Sequence, residues 1–286
     1  MHKTAICVII KEELDLDEWI IYHQEIGFDH IYIYDNNEIS ISEKIKKHKN
    51  CTYIHFPGPV KQMEAYEDWI KNFKSECEYV CVIDADEYVV FSSKYNSIRD
   101  VLSQLPEDHD ALILNSKLFF NLEKTRKKGL LFLNNLTWQK FWYRKNWKSK
   151  PILINYSKSV KTFSKTELIK EINNPHTIEY FTDEVKSYSG DLKSKCVVKN
   201  FCHYMVKEPE IWINHYYIKS LKEFRHKCLV RGRATTEEKR NFEKELNGQT
   251  VRYNPELISS NEPTEIVLLG KKVQGKLNEI IKQTNN

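Results

Sequence analysis

No run of apolar residues in this chain approaches the roughly 18 that a membrane helix needs. There is also no Cys-x-x-Cys pair, no Gly-rich phosphate loop, no block of clustered basic charge and no internal repeat. Each absence removes a class of function. Without a spanning run, at most a peripheral hold on a membrane is expected. The opening apolar run at residues 5–10 is too short for a signal peptide and acidic residues follow at once, so it reads as a first strand. The expected location is therefore cytoplasmic, in a bacterial or viral-host cytosol, with any membrane contact at the cytoplasmic face. The cysteines (Cys7, Cys51, Cys77, Cys81, Cys196, Cys202 and Cys228) are odd in number and several have apolar neighbours, so they read as reduced, mostly buried thiols. Cys77 and Cys81 read as core residues flanking a strand start, not as a metal pair. The 44 Lys and Arg side chains nearly cancel 40 Asp and Glu, leaving a net charge of +4 with no basic face, so nucleic acid is not an expected partner. The missing Gly-rich loop argues against a phosphotransferase, although a metal-dependent phospho- or nucleotidyltransferase stays open as an alternative.

What is present is enough apolar material, 41% of 286 residues, for a large core. The first third alternates strand and helix. Residues 5–10 form a continuous apolar run, as expected of a strand covered on both faces. A helix is expected over 15–24, a strand over 30–34, a strand over 52–56, a helix over 61–74 and a strand over 79–83. That order implies a mostly parallel, right-handed wound sheet. Residues 111–114 read as a further strand, and 115–150, rich in Phe, Trp, Asn and Lys, show no clean period. Residues 208–232 read as helix, as do 235–246, opened by a Thr-Thr-Glu-Glu cap and closed by Gly248. The last four residues are expected to fray. The division expected is a nucleotide-sugar-binding half (1–105), a second half completing the same catalytic domain (106–232) and a helical extension (233–286).

In wound sheets ligands bind at the carboxyl ends of the strands. Two acidic clusters fall there: Asp35, and Asp84-Ala85-Asp86-Glu87 directly after the apolar strand Val80–Ile83. Three carboxylates at a buried strand end repel one another and resist desolvation. A divalent cation relieves both effects, since Mg²⁺ and Mn²⁺ take carboxylate oxygens and leave positions for phosphate and water. Alone, Asp-x-Asp is also found in solvated turns; its place after a Val- and Ile-rich strand is what gives it weight.

Three motifs in order carry a family resemblance. Lys11-Glu12-Glu13, then Glu18-Trp19-Ile20-Ile21-Tyr22-His23 and Tyr34-Asp35-Asn36, are similar to the K-N-E, E-W-x-x-Y-H and Y-D-N elements of glycosyltransferase family 92 and related family-2-like enzymes. Asp84-Ala85-Asp86-Glu87-Tyr88 resembles its D-x-D-E-[FY] element. His215-Tyr216-Tyr217-Ile218-Lys219-Ser220, followed by Lys227 and Arg231-Gly232, resembles its C-terminal H-Y-x-x-K-S element. Glu12 stands where the pattern has Asn, and the F-G-S-S-G-H-type segment is missing, with Asn115–Asn121 in its place. The resemblance implies a GT-A-like α/β fold, a nucleotide-sugar donor (UDP-galactose favoured), a divalent metal, and inversion at the anomeric carbon with a glycan or glycolipid as acceptor. A non-catalytic nucleotide- or carbohydrate-binding relic of the fold is the competing expectation.

The expected metal ligands are Asp84, Asp86 and His215; the expected donor contacts are Asp35, Asp84, Lys219, Lys11 and Glu13. His215 and Lys219 share a face if residues 208–232 are helical. Ser220, Lys227 and Arg231 are each as well suited to a cap or solvent as to phosphate. An inverting transfer needs one general base. Asp183, Glu123 and His176 are candidates, together with Glu179 and His203, and the sequence does not choose among them. Phe119, Phe120, Trp138, Trp142 and Trp147 supply aromatic faces on which a sugar ring can stack.

Overall fold

The computed structural model describes residues 1–126, 129–131, 137–139, 141–143, 152–154, 160–174, 176–196, 206, 208–232, 236, 240–251, 258–259 and 264–284. The first third runs β1 (His2–Ile10), α1 (Leu16–Glu25), β2 (His30–Asp35), α2 (Ser42–Ile45), β3 (Cys51–His55), α3 (Gln62–Asn72) and β4 (Cys77–Val82). β5 (Glu87–Phe91), α4 (Ile98–Leu102) and β6 (Ala111–Phe120) follow. The middle contributes β7 (Thr137–Gln139), β8 (Phe141–Tyr143), β9 (Ile152–Ile154), β10 (Val160–Lys165), the hairpin β11 (Ile169–Asn174) and β12 (Thr177–Tyr180), then β13 (Ser187–Ser189) and β14 (Lys195–Cys196). The last part holds β15 (Ile211–Ile218), α5 (Leu221–His226), α6 (Phe242–Val251), β16 (Ile258–Ser259) and α7 (Thr264–Thr284).

β1 lies between β2 and β4, both parallel to it, and β3 extends the sheet beyond β2. β10 adds to β4 antiparallel and passes the sheet on to β6. β6 changes partners along its length: Ala111–Asn115 lie between β10 (antiparallel) and β13 (parallel), and Ser116–Phe120 lie parallel to β15, with β7 antiparallel at Phe119–Phe120. β15 in turn takes β5 antiparallel. This is the wound α/β sheet that the motifs implied, curled at β6, which passes the sheet on to β15 and β5.

Strand period explains why β1 is apolar throughout. Ile6, Val8 and Ile10 enter the core shared with Leu16, Trp19 and Ile20 of α1, whereas Ala5, Cys7 and Ile9 enter a second core with Ala65, Tyr66 and Trp69 of α3. Burying each of these large side chains contributes about 1.5–3 kcal/mol. α1 does more than cover the sheet. Trp19 Nε1–H donates to Glu87 O (2.7 Å), Tyr22 O–H donates to Val89 O (2.9 Å), and His23 Nε2 accepts from Val89 N–H (3.3 Å). Three side chains thus bond the backbone of β5 much as a neighbouring strand would. Glu18 accepts from Tyr88 O–H and Leu131 N–H. The Glu-Trp-x-x-Tyr-His motif is accordingly a device that fixes the strand beginning at Glu87.

Three expectations fail. Residues 211–218 are strand, not helix: Ile, Trp and Tyr dominate them, and pairing with β5 and β6 rewards that composition. Helix begins only at Leu221. The charged helix expected from 235 starts at Phe242 and runs through Gly248 to Val251, with Thr236, Arg240 and Asn241 outside it. α7 carries helix to Thr284, two residues into the tail expected to fray, and Asn285 and Asn286 lie outside the described residues. Among the described residues, no helix is long and apolar enough to cross a membrane.

Candidate functional site

Asp84, Ala85 and Asp86 occupy the short loop between β4 and β5, closed by Glu87 N–H to Asp84 O (3.0 Å). Glu87 is the first residue of β5 and is buried; its Oε2 accepts the Asp84 N–H at 3.0 Å. The loop is also tied to β15, where Tyr216 N–H donates to Asp86 O (2.8 Å).

The carboxylates meet different cations. Asp84 Oδ2 accepts from Lys161 Nζ at 2.9 Å and Oδ1 from Gln62 Nε2 at 3.2 Å. Lys161 also lies 3.1 Å from Glu87 Oε2. Asp86 Oδ2 accepts from Lys227 Nζ at 2.6 Å, and its Oδ1 lies 3.5 Å from His215 Nε2. The other imidazole nitrogen of His215, Nδ1, is 3.5 Å from Glu87 Oε1. Burial resists ionisation of Asp84, but the Lys161 ammonium outweighs it and holds the carboxyl below its usual range. Burial also opposes ionisation of Asp86, and Lys227 with His215 holds it lower still. For Glu87 burial prevails and raises the pKa, with the charge of Asp84 adding to it. The two acids of the Asp-Ala-Asp element are therefore anionic, and Glu87 behind them is the reluctant one.

This loop opens on a cavity of about 280 Å³ lined by Ile9, Ile10, Lys11, Asn36, Gln62, Asp84, Asp86, His176 and His215, and also by Arg231 and Arg240. A second cavity of about 730 Å³ adjoins it, lined by Glu12, Asn37, Lys44, Arg126, Lys219 and Phe224 among others. Glu13, Asp86, Tyr217, Lys227 and Arg231 line both, so the two form one cleft across the carboxyl ends of β1, β2 and β4. Its joint size suits a nucleotide-sized ligand.

The sequence-derived residues separate within this cleft. Asp84, Asp86 and His215 converge on the smaller cavity, and Lys11 and Glu13 line it. Lys219 lines the larger one and is held by Glu13 and by Asp15 (2.9 Å), so it does not share a ligand position with His215. The failed helix explains this: Lys219 lies one residue beyond β15, on the connection to α5. Asp35 is buried and committed to its own loop. Its Oδ1 accepts from Asn37 N–H (3.0 Å), and its Oδ2 accepts from Ile41 N–H (3.0 Å) and from Tyr53 O–H. Asn36, beside it, lines the cavity instead. Ser220 caps α5, its Oγ accepting from Glu223 N–H (3.2 Å). Of the base candidates, His176 lines the smaller cavity. Glu123 and Asp183 are exposed and line neither cavity, and Glu179 pairs with Lys170. His203 and Trp147 lie outside the described residues, as do the side chains of Trp138 and Trp142. His176 Nδ1 lies 3.1 Å from Val160 O, which fixes the proton there and leaves Nε2 as acceptor. Burial, then the nearby Lys161 charge, lowers its pKa, so the ring is neutral near pH 7.

Sequence reasoning missed Lys161. The alternation Val160-Lys161-Thr162-Phe163 marks it as facing one side of a strand, and only the fold shows that this side holds Asp84 and Glu87.

A divalent cation fits part of this site. An imidazole nitrogen and a carboxylate oxygen 3.5 Å apart face one cavity, a donor pair that Mn²⁺ or Mg²⁺ accepts. Among the described residues, no group of three His, Cys, Asp or Glu side chains is placed to hold a metal ion alone. Among the described residues a cation would find only a partial set here, of the kind that substrate phosphates and water would have to complete.

No family model matches the chain. Among curated proteins, a Glycosyltransferase family 92 protein of Oryza sativa subsp. japonica is 30% identical over 107 residues, covering 35% of this chain and 18% of that protein. A second, from Arabidopsis thaliana, is 29% identical over 96 residues, covering 32% of this chain and 17% of that one. The chain thus spans less than a fifth of the length of these relatives. Their names agree with the resemblance read from the motifs. Among solved structures, 4-diphosphocytidyl-2C-methyl-D-erythritol synthase of Anaerococcus prevotii overlaps 69% of this chain and 92% of its own, at 10% identity and a TM-score of 0.35.

Proposed function

We propose that the protein is a metal-dependent glycosyltransferase that moves a hexose from a nucleotide diphosphate sugar to a glycan or glycolipid hydroxyl with inversion. The observation that carries this reading is the convergence of Asp84, Asp86 and His215 on a cleft at the strand ends that is also lined by the basic side chains of Lys227, Arg231 and Arg240. A cavity whose wall carries both carboxylates and basic side chains is the complement of a cation bound to a diphosphate. In this reading Asp86 and His215 hold the cation, Asp84 is kept anionic beside it by Lys161, and the basic side chains receive the phosphate oxygens. The cation, when bound, neutralises charge developing on the leaving diphosphate. Ile10 and Asn36 border the position for the base and ribose. His176, with Nε2 free to accept, is the candidate that takes the proton from the acceptor hydroxyl. The family resemblance favours UDP and galactose.

The test is a thermal-shift titration of wild type and Asp86→Ala with Mn²⁺ and a panel of UDP- and GDP-sugars. A ligand that binds only the folded state raises the melting temperature according to its affinity. A Mn²⁺-dependent shift with one donor, absent in Asp86→Ala, supports the reading and identifies the donor. No shift of wild type with any donor overturns it in favour of a binding relic.

A further inference from the structure

The two lysines that meet the Asp-Ala-Asp loop are not equivalent. Lys161 projects from β10, is 1% exposed, and is gripped by two carboxylates, Asp84 and Glu87. Movement would strand a buried ammonium and the buried Glu87, and leave the half-buried Asp84 without its counter-ion. Lys227 is 14% exposed and reaches a single carboxylate oxygen, Asp86 Oδ2. It opens a wide turn, Lys227–Arg231, hydrogen-bonded i to i+5, and Gly232 follows with φ of 74°. Such turns are common at functional sites. Lys227 borders both cavities, lies 5.0 Å over the ring of Tyr217, and has Arg231 and Arg240 as cationic company. The carboxylate it holds is the one whose other oxygen faces His215.

We propose that Lys227 is an exchangeable counter-ion of Asp86, which a divalent cation and a diphosphate replace together and which neither replaces well alone. The inference rests on the transferase reading above and adds an order to its binding site. A free cation entering here meets three positive side chains and must displace the Lys227 ammonium, which is then left beside Arg231 and Arg240 without an anion. When a diphosphate enters as well, the released ammonium swings on its flexible stem to phosphate oxygens, and the cation takes the vacated carboxylate. The penalty that each ligand meets alone is cancelled by the other, which is positive coupling. By linkage the coupling is reciprocal, and commonly falls in the range of about 5–150-fold.

The experiment measures Mn²⁺ binding by calorimetry and by electron paramagnetic resonance, without nucleotide and with saturating UDP or GDP, in wild type, Lys227→Met and Lys227→Arg. Wild type is expected to bind free Mn²⁺ weakly and to tighten about tenfold or more when the nucleotide is present, the nucleotide gaining the same factor from Mn²⁺. Lys227→Met is expected to bind free Mn²⁺ more tightly than wild type, with coupling largely lost and the nucleotide bound more weakly. Lys227→Arg should stay weak for free Mn²⁺. Lys227→Gln, which can still donate a hydrogen bond to Asp86, replaces the Met variant if that one does not fold. Unchanged or weaker free-Mn²⁺ binding in the neutral variant, beside normal Mn²⁺-dependent nucleotide binding in wild type, overturns this inference alone. Absence of any nucleotide binding by wild type overturns the transferase reading and this inference with it.

Discussion

Glu12 takes a φ of 50°, in the left-handed region, where the cost for a residue with a Cβ is about 1–2 kcal/mol and Asn is better tolerated. The position is the one at which this chain departs from the Lys-Asn-Glu pattern. Its backbone N–H donates to Asn37 Oδ1 at 2.8 Å, a bond that any residue here keeps. Its side chain gains a pairing with His226 in which both groups are largely exposed, an interaction of small value. Glu12→Asn is therefore expected to raise the thermal midpoint by about 1–3 °C, as read by calorimetry. A fall would mean that the His226 contact outweighs the backbone. His23 gives a pH dependence at the same scale. It is fully buried, its Nδ1 donates to Trp19 O at 2.8 Å and its Nε2 accepts from Val89 N–H, so only the neutral ring makes both bonds. Burial pushes its pKa down to about 3, against the pull of the Trp19 carbonyl. The unfolded chain binds a proton at about pH 6.5 that the folded chain refuses until about pH 3. The stability this group contributes is then complete above pH 6.5 and declines as the pH falls through that window. Between pH 7 and pH 5 wild type should lose about 2 kcal/mol more than His23→Gln, at about 1.4 kcal/mol per unit below pH 6.5. Urea denaturation at the two pH values checks this.

At the scale of elements, the capped start of α5 decides where Lys227 sits. Ser220 Oγ accepts from Glu223 N–H and donates to Glu223 Oε2 at 2.6 Å, so one hydroxyl joins the cap to the first turn. Ser220→Ala should cost about 1 kcal/mol, whereas Ser220→Asp, a competent cap, should keep most of it. Equal losses in the two variants, by urea denaturation, would assign the effect to packing instead. The cap was legible in sequence as a Ser three residues before a Glu; the strand before it was not. Residues 211–219 give an i, i+4 pair, His215 and Lys219, which looks helical, but the strand ends at Ile218 and parts the two. The deciding signal was the Ile-Trp-Ile and Tyr-Tyr-Ile composition, whose strand preference becomes decisive only when β5 and β6 are there to pair. The first third was easier because β1, β2 and β4 are largely buried apolar strands and helices separate the strands from β1 to β4, so local pattern and tertiary demand agree.

For the whole molecule, the acidic strand end was legible because its residues are adjacent in sequence. The cations were not, because Lys161 lies 77 residues from Asp84 and Lys227 lies 141 from Asp86. Only the insertion of β10 beside β4, and the return of the chain through β15 to α5, brings them to one loop. Lys161 is accordingly a tie between parts of the fold as much as a component of the site. A buried ion pair can be replaced as a unit at little cost, but removing one partner leaves the others charged without compensation. Lys161→Met should cost about 3 kcal/mol, since it leaves the buried Glu87 beside Asp84, which is half-buried, with no cation between them. Adding Glu87→Gln removes one of those charges and should return part of the loss, so the two substitutions are expected to be less than additive in a double-mutant cycle. Additivity, measured by urea denaturation of the four proteins, would mean that the lysine acts through packing alone. Lys227→Met, by contrast, frees one oxygen of a carboxylate that borders open cavities, where water can take the place of the ammonium. It should cost less than half as much as Lys161→Met, which separates the lysine that maintains the fold from the lysine that responds to a ligand.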